Sequence, residues 1–319
     1  MAHLLLYMCG HIKDKGPLSP ARENAVGATE SEDATTEQQS SAPGNAGDSP
    51  EDCLFGGIQL DQETCEFYRS AVVLLTEEEV PFLVGGAFAF QCYTGISRYT
   101  KDFDIFVKPD DVDRTLDLLG QNGCKTELTF SHWLGKAYCG DLFVDVIFRS
   151  GNGVAEVDDE WFDNATPGEV LGVPVKLCPP EEIIWTKAFV QERERYDGAD
   201  VAHMVRASAG SVDWKRLVRR FGPHWRVLLA HLVLFGFVYP GERDKVPASV
   251  MNELMGKLQH ELATPAPNTR LIRGTLISRQ QYLIDIEEWG YKDARLEPRI
   301  KMTEEEIEAW TEGIEVDGK

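Results

Sequence analysis

The sequence predicts an α+β fold: a small mixed β-sheet followed by an α-helical C-terminal half. Three observations predict it. Short apolar runs alternate with helical patterns up to about Leu177. Longer helical patterns take over after Pro179-Pro180. The chain of 319 residues is 43% hydrophobic and 10% aromatic, enough for a sizeable core.

Each element has a local reason. Residues 1–53 read as a disordered N-terminal extension. From about Gly16 to Glu51 they are rich in Ser, Ala, Glu, Thr, Gly and Pro, without apolar periodicity. Such a segment buries too little surface to offset the entropy of ordering. The sheet-bearing domain then runs over 54–179. Asp61 is an N-cap that opens a helix through about Glu78, with Phe67, Ala71, Leu74 and Leu75 at helical spacing. Pro81 to Val84 is a buried strand ending in Gly85-Gly86, and Ala87 to Tyr93 is the next helix. Phe103 to Val107 is a strand, and Pro109-Asp110-Asp111 opens a helix through Leu119 that Gly120 closes. Lys125 to Phe130, Leu142 to Phe148 and Val173 to Leu177 are further strands. A helical domain follows over 180–319, with helices at Glu181–Arg195, Gly198–Ala207, Trp214–Phe221, His224–Phe235 and Glu304–Trp310.

The net charge of −21 argues against a surface that grips nucleic acid as a whole, because phosphate neutralisation needs clustered Lys and Arg. A local basic site remains compatible with it. Seven dispersed cysteines, without CxxC pairs or histidines at zinc spacing, read as reduced thiols of a cytoplasmic protein. The apolar stretches Leu4–Cys9 and Val227–Tyr239 are too short to span a bilayer, so no membrane partner is expected.

The chemistry concentrates in Val84-Gly85-Gly86-Ala87 and in Thr100-Lys101-Asp102-Phe103-Asp104-Ile105-Phe106-Val107. On a strand, side chains alternate, so Asp102 and Asp104 share a face roughly 7 Å apart while Phe103, Ile105 and Val107 enter the core. Two carboxylates about 5 Å apart repel by roughly 3 kcal/mol at an effective dielectric near 20. A divalent cation with oxygen coordination relieves that repulsion. Asp145 supplies a third carboxylate from mid-strand in Asp141-Leu142-Phe143-Val144-Asp145-Val146-Ile147-Phe148, one strand spacing away. Asp141, nearer the strand end, is the weaker candidate. Gly85-Gly86 between strand and helix lets backbone N–H groups approach a phosphate, and the helix N-terminus favours its charge.

This pattern of Gly-Gly after a strand, then Asp-x-Asp, then a third Asp on a later strand resembles the nucleotidyltransferase superfamily over about Phe82 to Phe148. Within it the chain looks closest to small bacterial enzymes of the abortive-infection type, in which a downstream helix carries Lys, then Arg, then Asp-x-x-Asp. The corresponding residues here are Lys187, Arg193, Asp197 and Asp200. The resemblance implies a DNA polymerase β-like fold, dependence on Mg²⁺ or Mn²⁺, and an NTP as donor. It implies that Asp102 and Asp104 bind two metal ions and that Asp145 binds the catalytic one and orients or deprotonates an acceptor hydroxyl. The acceptor is a small molecule, a tRNA or a protein. A non-catalytic nucleotide-binding or partner protein that kept the fold is the alternative. From about Val212 onward the chain departs from the resemblance.

Outside the triad, Lys187 or Arg193 is expected to touch the triphosphate, since only cations complement that charge. A surface pairing with Glu182, Glu192 or Glu194 is the bland alternative. Asp197 and Asp200 either orient those cations or cap the helix near Gly198. The stripe Lys215-Arg216-Leu217-Val218-Arg219-Arg220 reads as a solvated face bridged by acids, or as a hold for RNA or another phosphate-bearing acceptor. His132, near Lys136, is the histidine to watch for proximity to the site.

Overall fold

A computed structural model describes residues 53–55, 58–98, 100 and 102–313; the expectation for the N-terminal extension therefore lies outside the described residues, apart from the backbone of Cys53. The described residues open with a two-stranded antiparallel ribbon, β1 (Cys53–Phe55) and β2 (Ile58–Leu60). Helix α1 (Gln62–Glu77) starts where expected, because the Asp61 carboxylate accepts from the Thr64 backbone N–H at 2.8 Å. There follow β3 (Leu83–Val84), α2 (Gly86–Thr94), β4 (Asp102–Phe106), α3 (Val112–Gln121), β5 (Lys125–Phe130), β6 (Leu134–Cys139) and β7 (Leu142–Ile147). After α4 (Asp159–Asp163), the hairpin β8 (Thr166–Val170) and β9 (Val173–Leu177) completes the sheet.

The sheet is mixed, with seven strands in the order β5-β6-β7-β4-β3-β9-β8. β4 runs parallel to β7 and antiparallel to β3, and β3 runs parallel to β9. Phe103, Ile105, Val144 and Val146 leave one face fully buried, and α1 and α3 cover it. Tyr68 of α1 stacks on Phe103 with ring centroids 5.1 Å apart. Residues of alternate parity on β4 and β7 thus face the other side, where the carboxylates lie.

The second half is helical, as the sequence predicts: α5 (Pro180–Ala188), α6 (Gly198–Ser208), α7 (Trp214–Phe221), α8 (Trp225–Val238) and α9 (Ala248–Leu262). α6 packs on both α5 and α2, which brings the helical half to the glycine turn. The chain then runs through β10 (Leu271–Ile272), α10 (Leu283–Glu287) and β11 (Lys292–Asp293) to α11 (Glu304–Glu312), whose Trp310 edge packs on His132. All these elements fall within one compact unit, Ser49–Lys319.

Two expectations need correction. First, α5 ends at Ala188, not at Arg195. Residues 190–197 form a tight turn instead, in which Gln191 bridges Tyr196 and the Glu192 N–H donates to the Arg195 carbonyl at 2.8 Å. The run Gln191 to Arg195 contains no apolar side chain that would hold a further helical turn against the core. Second, Cys65 is disulfide-bonded, while Cys92, Cys124, Cys139 and Cys178 carry free thiols. Pairing depends on which thiols the fold brings within about 6 Å between Cα atoms, and dispersed positions along a chain give no sign of that. Trp214–Val238 taken as one stretch is long and apolar enough to cross a membrane by length and composition, but a 3-10 turn at Gly222–His224 splits it into α7 of 8 residues and α8 of 14.

Candidate active site

Strand register builds the site. Asp104 lies opposite Asp145 across the β4–β7 pair, and Asp102 lies opposite Phe143. The two aspartates of Asp-x-Asp therefore share a face with Asp145, and one carboxylate oxygen from each of the three lies within 4.8 Å of the others. Asp102 is oriented by the Thr100 hydroxyl, which donates to it at 2.8 Å. Asp141 sits exposed at the β6–β7 turn, outside this group.

The glycine turn closes tightly over the pair. Gly85 N–H donates to the Asp104 carbonyl at 3.0 Å, and Gly86 opens α2 at φ +52°. A Cβ at Gly86 would overlap the Asp104 carboxylate, and one at Gly85 would overlap the Phe106 ring. Both positions thus require glycine on steric grounds, and at Gly86 the left-handed backbone requires it again.

Electrostatics mark Asp104 as the strained member. Burial, and then the charges of Asp145 and Asp102, push its carboxyl up to about 7, against the opposing influence of Lys187 and Arg195. A carboxylate that resists ionisation beside two others is one that a cation would stabilise. The donor set is all oxygen, as hard divalent ions prefer. The residues therefore fit Mg²⁺ or Mn²⁺.

A cationic cluster borders the triad. Lys187 on α5 donates to Asp197 at 3.1 Å and to Asp200 at 2.8 Å. Arg98, from the loop before β4, pairs with Asp200 at 2.5 Å and lies over the Phe90 ring at 4.9 Å. Arg195 pairs with Asp197 through two nitrogens, at 3.1 and 3.0 Å. Burial raises the Asp197 carboxyl, but Arg195 and Lys187 outweigh it and hold the group below the usual carboxylate range. Asp197 and Asp200 thus position cations, and Asp197 also stands at the N-cap of α6 without a side-chain capping bond.

Arg193, the arginine singled out in the sequence, is exposed and pairs with its neighbour Glu194. The 190–197 turn presents Arg195 instead, and it is Arg195 whose charge acts on Asp104. No spacing argument along a helix finds it, because the residue is not on a helix.

Lys136 was named in the sequence only as a neighbour of His132. β6 sets it opposite Asp145, and its ammonium lies 2.8 Å from Asp145 Oδ1. His132 is a packing group: buried, 2.9 Å from the Gly151 carbonyl through Nε2, with its basicity lowered by burial.

The basic stripe is absorbed by structure. Arg216 is buried against Glu181 and Glu182, both at 2.5 Å, and Arg220 pairs with Asp158 at 2.6 Å and Glu182 at 3.1 Å. Arg219 pairs with Glu160 at 2.9 Å. The bridging acids of the bland reading are present, although Arg216 is buried and not solvated.

Among known proteins, the chain is similar to several solved structures. The solution structure of antibiotic-resistance factor ANT(2'')-Ia is 16% identical, with 64% of this chain and 99% of that chain covered, at TM-score 0.36. Lincosamide antibiotic adenylyltransferase LnuA, lincomycin-bound, is 14% identical over 45% of this chain and 96% of its own, at TM-score 0.33. An antigenic nucleotidyltransferase-like protein from Paracoccidioides brasiliensis is 17% identical over 59% and 94%, at TM-score 0.39. By description, one of these is an adenylyltransferase and another is nucleotidyltransferase-like. No family model and no curated protein matches the chain.

Proposed function

We propose that this chain transfers a nucleoside monophosphate from an NTP to a hydroxyl acceptor and releases pyrophosphate. The observation that carries the reading is the row across β4 and β7 that gathers Asp102, Asp104 and Asp145 beneath a turn with room only for glycine.

Asp102, Asp104 and Asp145 would hold Mg²⁺ or Mn²⁺, which when bound supplies positive charge to the phosphate oxygens and the departing pyrophosphate. The chain's own residues do the rest. Gly85 and Gly86 let the phosphates approach backbone N–H groups at the start of α2. Lys187, with Arg195 in the place the sequence gave to Arg193, complements the triphosphate charge. Asp145 orients the acceptor hydroxyl and takes its proton as the oxygen attacks the α-phosphorus; the bond to the bridging oxygen breaks and pyrophosphate leaves with that electron pair. An NTP donor is consistent with a cytoplasmic setting, in which the Cys65 disulfide would be the unusual feature.

The test is incubation of the protein with each α-³²P-labelled NTP, Mg²⁺ and fractionated cell extract. Transfer of label to a small molecule, a tRNA or a protein is the expected result and identifies the acceptor class. Tight NTP binding without any labelled product would establish a non-catalytic nucleotide-binding protein instead.

A further inference from the structure

Four adjacent strands lay a row of charged side chains across the sheet. Glu127 on β5 is opposite Lys136 on β6, Lys136 is opposite Asp145 on β7, and Asp145 is opposite Asp104 on β4. Lys136 therefore stands between two acids, and the structure gives it to one of them. Glu127 is engaged by the Tyr138 hydroxyl at 3.0 Å and the Thr129 hydroxyl at 3.1 Å. The Lys136 ammonium takes Asp145 Oδ1 at 2.8 Å, with side-chain exposures of 19% and 11% for the pair. Its nitrogen also lies 4.2 Å from the centroid of the Phe143 ring, which occupies the same face two residues before Asp145. A lysine held by a strand, an aromatic face and a mostly buried carboxylate is not a wandering surface charge.

Resting on the nucleotidyltransferase reading, we propose that Lys136 is a positioning residue of the site with two effects. It holds one oxygen of Asp145 at 2.8 Å and so fixes how that carboxylate is turned beside Asp104. It also offsets one of the three negative charges of the triad, so the free protein holds a divalent ion loosely and captures it together with the nucleotide. The site is thereby kept from becoming a permanent cation trap, which three convergent carboxylates opposed only by the more distant Lys187 and Arg195 would favour.

Calorimetric titration of the full chain with MnCl₂ in the absence of nucleotide tests this, alongside thermal unfolding and the labelled-NTP assay. Lys136→Met and Lys136→Gln both remove the charge, and Lys136→Arg keeps it. The neutral variants are expected to bind Mn²⁺ more tightly than wild type by about ten-fold or more, with Lys136→Arg close to wild type. A lysine with a merely structural role would lower the melting temperature and leave Mn²⁺ affinity where it was; that result in either folded neutral variant overturns the proposal. If wild type labels an acceptor while the neutral variants show unchanged Mn²⁺ affinity, the enzyme reading stands and the role of Lys136 falls. If neither wild type nor the neutral variants bind Mn²⁺, the role of Lys136 falls, and if wild type also labels no acceptor the enzyme reading falls with it.

Discussion

Asp104 carries the sharpest single-residue consequence of the site. Replacing it by Asn removes one of three clustered charges and keeps the shape. Asp104→Asn and Asp145→Asn should each lose the Mg²⁺-dependent rise in melting temperature. For Asp104→Asn, metal-free melting should equal or exceed that of wild type, because a carboxylate destabilised by burial and two neighbours becomes neutral. Differential scanning fluorimetry with and without Mg²⁺ reads both; an undiminished Mg²⁺ shift in Asp104→Asn removes the residue from the cation site. Gly86→Ala tests the turn. A left-handed alanine costs about 1–2 kcal/mol on its own, and its Cβ overlaps the Asp104 carboxylate. Lower stability together with a lost Mg²⁺ shift is expected, and wild-type behaviour would show that the turn is looser than described. The triad and the glycines were legible because their signal is local: a strand period of two and a Gly-Gly at a strand end. Lys136 was not legible as a partner of Asp145, since that depends on the register of two strands and nothing in Leu134 to Cys139 announces it.

At the scale of elements, the sequence placed most helices within a few residues and missed features whose cause lies elsewhere in the fold. β8 contains Pro167 and Gly168, which read locally as a turn; it is the last strand of the sheet, where proline is tolerated. α5 was extended too far because charged residues fit a helix pattern as readily as an exposed turn. The family pattern of Lys, then Arg, then Asp-x-x-Asp points to Arg193, whereas the turn sets Arg195 against Asp197. The short turn before α8 yields a pH prediction. His224 is pushed down to about 4, first by burial and then by Arg273 and Arg299, and its ring meets Phe189 edge-on. A histidine with a depressed folded value contributes stability that is fully present above its unfolded value of about 6.5. That stability is lost as pH falls from about 6.5 towards about 4. His224→Gln should flatten the melting curve over that window without altering it at pH 8. An unchanged slope in the variant would assign the acid loss to other groups.

For the whole molecule, the expectation with the widest reach concerns residues 1–51. The folded unit's core is supplied by described residues from Leu60 onward. Deleting 1–51 should therefore leave thermal stability and any Mg²⁺ shift essentially unchanged, and a large loss would show that the segment docks on the domain. The helical half was legible as helical, and Lys187 as its candidate for the site, but Arg195 was not. Its contributions, Lys187 and Arg195 with their aspartates, reach the sheet through the packing of α6 on α2.

The residues after β10 have a consequence that lies in time. The Gln191 N–H donates to the Ile277 carbonyl at 3.0 Å, and Glu192 accepts from the Ser278 hydroxyl at 3.2 Å and from Arg279 Nε at 3.0 Å. These bonds fasten the very turn that presents Arg195. Ribosomes deliver the sheet first and this fastening 86 to 87 residues after the turn itself. A nascent chain can thus own every carboxylate of the site while the arginine proposed for the triphosphate is still untethered. Competence for the proposed chemistry would arrive late in synthesis, on a timetable set by the order of the sequence.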